Sequence, residues 1–189
     1  MALDARRLTG LLVFLGAAQF TIGLMIAAAL TPGYSIADDS ISSLGTREGA
    51  LWFNGSVILL GILVLAAAYF VRTVFGSTVV MGLLAATGIG ALGIGLFPAT
   101  DPLAGTHAIF TLIAFLFASI TAIYVARFLR APLLHLSIIL AAVSLVSLVL
   151  WVMGTYLGLG FGGMERMIVL PVLTWAIAFG GYLMAGEAT

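Results

Sequence analysis

Residues 9–30 read TGLLVFLGAAQFTIGLMIAAAL, 22 residues with one strongly polar side chain, Gln19, and no charge. A helix of about 20 apolar residues crosses the roughly 30 Å hydrocarbon core of a bilayer, because all its backbone hydrogen bonds close internally. The stretch outruns the apolar core of a signal peptide, about 7–15 residues. It therefore reads as a retained first span, despite the MALDARR that precedes it. Thr31-Pro32-Gly33 stops it.

Five further runs of this kind follow, at 52–71, 78–97, 105–126, 133–156 and 164–184. Of the 189 residues 63% are hydrophobic and 7% charged, with a mean hydropathy of +1.28. A water-soluble domain carries about 25% charged residues, so this chain cannot cover a water-facing surface. The pattern predicts an all-α integral membrane protein: a six-transmembrane-helix bundle, one domain over residues 1–189, with a polar extracytoplasmic loop after helix 1.

Charge sets the expected orientation. Basic residues in short loops stay on the cytoplasmic side. With the N-terminus inside, Arg6, Arg7, Arg72, Arg127 and Arg130 are cytoplasmic, whereas Arg47 and Arg166 lie outside. Both termini are thus expected in the cytoplasm of a cell-membrane protein. The outer side then holds Asp38, Asp39, Glu48, Asp101 and Glu165, leaving Asp4 and Glu187 inside.

Several classes of chemistry drop out. The chain has no cysteine, which removes disulfides, thiolate metal sites and thiol nucleophiles. It has no lysine and no basic face, so nucleic acid is not an expected partner. His107 and His135 fall at opposite ends of the bundle, about 30 Å apart at 1.5 Å per helical residue, and cannot share a haem. No cofactor or metal is expected. A cation held by His107, Asp101 and Glu165 would have Arg47 and Arg166 beside it, and no zinc-type spacing occurs. Gly88-x-Gly90-x-x-Gly93 matches a dinucleotide fingerprint, but it lies inside a span rather than after a strand.

The outer polar residues are the place to look for function. Residues 34–48, YSIADDSISSLGTRE, form the longest polar stretch of the chain. Topology brings Asp101, His107 at the start of helix 4, and Glu165-Arg166 at the start of helix 6 to the same face. His107 is the proton-transfer candidate, Asp101 its orienting carboxylate and Ser42 a candidate nucleophile, since such triads are defined by geometry rather than by order. Asp38, Asp39, Arg47, Asn54, Glu165 and Arg166 are the candidate ligand-binding residues. An arginine there would anchor an anionic group, or clamp a loop carboxylate in an ion-pair network.

Four short motifs carry a family likeness. Tyr34-Ser35 with Ile41-Ser42-Ser43-Leu44-Gly45 resembles a Y-S…I-S-D-L-G loop, Ser43 standing where an acid is frequent. Asn54 opens helix 2. Leu96-Phe97-Pro98-x-x-Asp101 with His107 resembles an F-P-x-D…H segment. Gly163-x-Glu165-Arg166 resembles the G-x-x-E/Q-R start of a sixth helix. Together they resemble the archaeal and bacterial six-helix membrane family termed domain of unknown function nine-nine-eight. The likeness implies six-helix topology and the location of a site, and it carries no activity.

The working expectation is an outer-face site for a lipid headgroup or small anionic ligand, with hydrolase or transferase chemistry as one version. The rivals are a structural or accessory subunit, whose outer charges only hold the fold, and a small-solute facilitator. Membrane lipids are the expected surroundings. A homo-oligomer or a larger membrane complex is the expected assembly.

Overall fold

The computed structural model describes residues 4–100 and 102–185. Six helices carry the chain: α1 Ala5–Ala29, α2 Ala50–Phe75, α3 Thr78–Leu96, α4 Ala104–Ala126, α5 Leu133–Val152 and α6 Gly160–Ala185. Each is long and apolar enough to cross a bilayer. The protein is an all-helical, multi-pass membrane bundle with no strand among the described residues.

Local chemistry places the helix ends, in some cases away from the runs of apolar residues. α1 begins at Ala5 rather than residue 9, because the Asp4 carboxylate accepts the Arg7 amide at 2.8 Å and caps the first turn. α2 continues past Arg72 to Phe75, where Gly76 turns left-handed at φ +62°. α5 stops at Val152, short of residue 156, since Gly154, Leu157 and Gly158 all take positive φ. α6 starts at Gly160 rather than 164, so Gly160, Gly162 and Gly163 fall in its first turn.

Each helix packs on its neighbours in sequence, and α6 returns to α1, so the six close into a ring. No hydrophobic force draws helices together in lipid; close backbone approach does. At the α1–α6 seam a Cβ on Gly10 would sit 2.6 Å from the Gly180 carbonyl. Gly90, inside the fingerprint-like G-x-G-x-x-G, lies against α4, where a Cβ would come 2.6 Å from the Ala114 amide. That pattern is helix-packing surface.

The α4–α5–α6 wall is also joined by side-chain hydrogen bonds. Ser119 and Ser144 hydroxyls meet at 2.8 Å, and Ser144 donates to the Ile168 carbonyl at 2.7 Å. The Trp175 indole donates to Ser137 at 2.8 Å. Gln19, the lone strongly polar residue of α1, donates to the Gly16 and Ser56 carbonyls and ties α1 to α2.

Candidate functional site

Residues 30–49, between α1 and α2, fold across one end of the ring. Asp39 and Ser35 organise the descent: Asp39 accepts the Ser35 amide at 2.8 Å, and the Ser35 hydroxyl donates to Asp38 at 2.7 Å. Ser40 then caps a short 3-10 helix, Ile41–Thr46, accepting the Ser43 amide at 3.1 Å. This helix drives Ile41 and Leu44 into the bundle, 3% and 0% exposed, beside Phe53. The loop is a lid with an apolar plug.

The first turn of α6 holds the lid by its backbone. The opening amides of a helix have no partner inside it. Here Gly162 and Gly163 amides both donate to the Ala37 carbonyl, at 2.8 and 3.2 Å. Gly162 must be glycine, because a Cβ would overlap the Asp39 carbonyl. Arg166 adds donations to the Ile36 and Asp39 carbonyls at 2.9 and 3.4 Å, and a further one to the Tyr34 hydroxyl. Glu165, 2% exposed, accepts the Ile41 amide at 2.6 Å, the first amide of the plug.

These contacts correct one part of the expected ion-pair network, the Arg166 clamp on a loop carboxylate. Arg166 grips carbonyls and a phenol rather than a carboxylate. Among the described residues, the loop's ion pair is Arg47–Asp39 at 3.3 Å, both side chains about a third exposed. A pair so placed adds about 0–1 kcal/mol. Arg47 also donates to the Pro32 carbonyl at 3.2 Å. Burial pushes the Tyr34 phenol above its ordinary range, against the opposing pull of Arg166.

Under the lid lies a cavity of about 110 Å³, lined from α1, α2, α3, α4, α6 and the 3-10 helix, with nothing from α5. Its walls are apolar, with Phe20, Phe53, Ile94 and Leu173 among them, and Ser42 and Glu165 line its capped end. Three threonines also line it. Thr87 and Thr121 spend their hydroxyls on the carbonyls four residues back, at 2.9 and 2.6 Å. Thr111 does not: its hydroxyl oxygen is buried with no hydrogen-bond partner.

His107 sits one turn above Thr111 on the same face of α4, since residues four apart align. It is 5% exposed. Its Nδ1 lies 2.8 Å from the Phe97 carbonyl, an acceptor, so Nδ1 carries a proton, and in the neutral ring Nε2 is then the acceptor. That Nε2 is buried without a partner. Asn54 shows the same pattern: its amide nitrogen donates to the Gly45 carbonyl at 2.9 Å, and its buried oxygen has no donor.

The sequence-derived candidates thus divide. Glu165 and Ser42 reach the cavity. Asp38, Asp39, Arg47 and Arg166 build and fasten the lid. Asn54 and His107 flank the lid end with orphaned acceptors. Ser42 meets the Ser40 hydroxyl at 3.2 Å rather than His107, so the two do not form a hydrogen-bonded pair. The ring of His107 is oriented by the Phe97 carbonyl, and Asp101 lies outside the described residues, as does Glu187. Among the described residues no three His, Asp or Glu side chains converge as a metal site. Thr111 was missed; its one sequence signal is its place four residues after His107.

A closed ring of six membrane helices, roofed by a polar loop over an apolar cavity, defines the class. Residues 14–182 match the model of the family described as protein of unknown function (DUF998), and the chain belongs to that family. No curated protein and no solved structure matches it.

Proposed function

We propose that the protein binds an amphiphile inside the bilayer: the apolar part in the cavity, the polar end beneath the lid. One observation carries this reading: Thr111 lines the cavity, and its hydroxyl oxygen is buried without a partner. A helical threonine has a carbonyl within reach at no cost, as Thr87 and Thr121 show. A buried polar atom without a partner costs about 1–3 kcal/mol, so a natural chain keeps one where something else binds it. Pockets lined by apolar side chains with a few convergent polar groups, set between helices of a bundle, suit such ligands.

The polar end is read as a hydroxyl. Arg47 and Arg166, the anchors an anionic headgroup would need, are engaged with loop oxygens. What lines the cavity is the Glu165 carboxyl and the Ser42 and Thr111 hydroxyls, Glu165 already accepting the Ile41 amide and Ser42 meeting Ser40; the unpartnered acceptors of Asn54 and His107 lie outside that lining. A long-chain or isoprenoid alcohol fits that set. A second reading, proton abstraction from the bound hydroxyl, is favoured by the His107 tautomer that leaves Nε2 bare. The lid is assigned to the outer face on the five-to-two division of arginines between the ends. With no native cysteine, an Ala37→Cys variant labelled by an impermeant maleimide in intact cells tests that side.

The test of binding is lipid extraction and mass spectrometry on protein purified in mild detergent. A retained alcohol is expected in the wild type. Ala91→Phe, which fills the cavity, is expected to lose it with the thermal midpoint held. If no amphiphile is retained, and a panel of long-chain alcohols leaves the midpoint unmoved, the lid is purely structural and the reading falls. For the second reading, unchanged membrane lipids in cells carrying His107→Ala would sink the chemistry while leaving binding intact.

A further inference from the structure

The end of the ring opposite the lid gathers Arg6, Arg7, Arg72, Arg127 and Arg130, against one described carboxylate, Asp4. Asp4 is spent on the Arg7 amide as the cap of α1. Here the start of α1, the end of α2, the α4–α5 turn and the end of α6 surround a second, open pocket of about 640 Å³. Its lining is of two kinds. Arg6, Thr73, Arg130 and Tyr182 are polar, as is Asp4, the one described carboxylate in the lining; Phe75 and Phe128, with ring centroids 5.0 Å apart, make an apolar wall. Arg130 is exposed and, among the described residues, holds no ion pair.

We infer that this pocket is a binding site for the headgroup of an anionic phospholipid. Three features converge on that chemistry. A guanidinium offers a planar fork of donors that matches a phosphate, and Arg130 has its fork unspent. The Thr73 hydroxyl, exposed on the rim, supplies a neutral donor beside it. The Phe75–Phe128 wall gives the first part of an acyl chain an apolar surface within the pocket. Basic pockets between transmembrane helices take anionic headgroups for these reasons, and a soluble anion would have no use for the aromatic wall. The lipid here is a bound cofactor of the fold's basic end, independent of whatever fills the cavity under the lid.

Native mass spectrometry of the full chain, offered phosphatidylglycerol and phosphatidylcholine in equal amounts, tests it. Phosphatidylglycerol is expected to be retained in preference. Arg130→Gln should lower that retention about fivefold, the effect of one arginine at an anionic interface. Arg127→Gln removes the same charge at the same end. It lies outside the pocket, stacked 3.7 Å over the Tyr124 ring, and should change retention less than about twofold. Equal losses in the two variants would mean a diffuse electrostatic attraction and overturn the pocket. So would equal retention of both lipids by the wild type. Displacement of the lipid by millimolar inorganic phosphate would reassign the site to a free anion and overturn the lipid. Equal thermal midpoints for the three proteins would show that both variants fold.

Discussion

The α4–α5–α6 wall and the lid end bury polar groups in opposite ways. In the wall, Ser119, Ser137, Ser144 and the Trp175 indole are joined to one another or to carbonyls at 2.7–2.9 Å. At the lid end the backbone of residues 36–41 is well held, yet Asn54, His107, Thr111 and the Trp151 indole each keep a buried atom without a partner. Hydrocarbon offers no water to such atoms, so both regions face the same penalty. The wall has removed it and the lid end has not. The difference is the ground for the proposal that the lid end, unlike the wall, takes a ligand.

The largest effect should come from separating the lid from α6. Gly162→Ala forces a Cβ into the Asp39 carbonyl and displaces the two amides bound to Ala37. The variant is expected to lose about 3 kcal/mol of lid stability and to open residues 30–49 to added protease. Protection as in the wild type would show that the α6 clamp is dispensable. The wall offers the next step down. Ser144→Ala breaks the bonds to Ser119 and Ile168 and should cost about 1 kcal/mol in thermal stability, without altering protease access to the lid. Lid exposure in this variant would mean that the two regions are coupled, and the contrast between them would fail.

Much of this was legible in the sequence, and the part that was not follows a rule. Six spans are written in runs of apolar residues, which report length and burial directly. The apolar run placed the α6 boundary at 164, whereas Gly160 and Gly162, ahead of it, admit the lid's backbone. Charge signalled that residues 34–48 and Glu165-Arg166 meet, but not how. Arginine in sequence suggests a carboxylate partner; the carbonyls that Arg166 holds carry no sequence signal, since every residue has one. Thr111 was invisible for the same reason. What sets it apart from Thr87 and Thr121 is a bond it does not make.

The lid's pH response is a smaller effect. Burial raises the Tyr34 phenol, which donates to the Ser40 carbonyl at 3.2 Å while receiving Arg166. A raised folded value means that its contribution is whole below the unfolded value, near about 10, and is lost as pH climbs through the folded one. Protease access to residues 30–49 should therefore rise only above about pH 10. Tyr34→Phe should remove that alkaline step and loosen the lid slightly at neutral pH. An unchanged alkaline step in the variant would assign it to another group.

The smallest change is the most discriminating, because the two regions predict opposite signs for it. Thr111→Val keeps the shape of the side chain and deletes the hydroxyl. In the wall such a deletion strands a partner, as Ser144→Ala does. At Thr111 nothing is stranded, because the hydroxyl has no partner among the protein's own groups. The variant is expected to gain up to about 1 kcal/mol, the desolvation penalty returned, as a higher thermal midpoint in ligand-free detergent. Its retention of the cavity ligand should fall by about fivefold to tenfold, a hydrogen bond's worth of affinity. Gain of stability with loss of binding is the signature of a group kept for a ligand. Loss of both would make Thr111 one more structural hydroxyl and place its partner within the protein; gain of stability with binding intact would move the ligand's polar end elsewhere under the lid, toward Ser42 and Glu165.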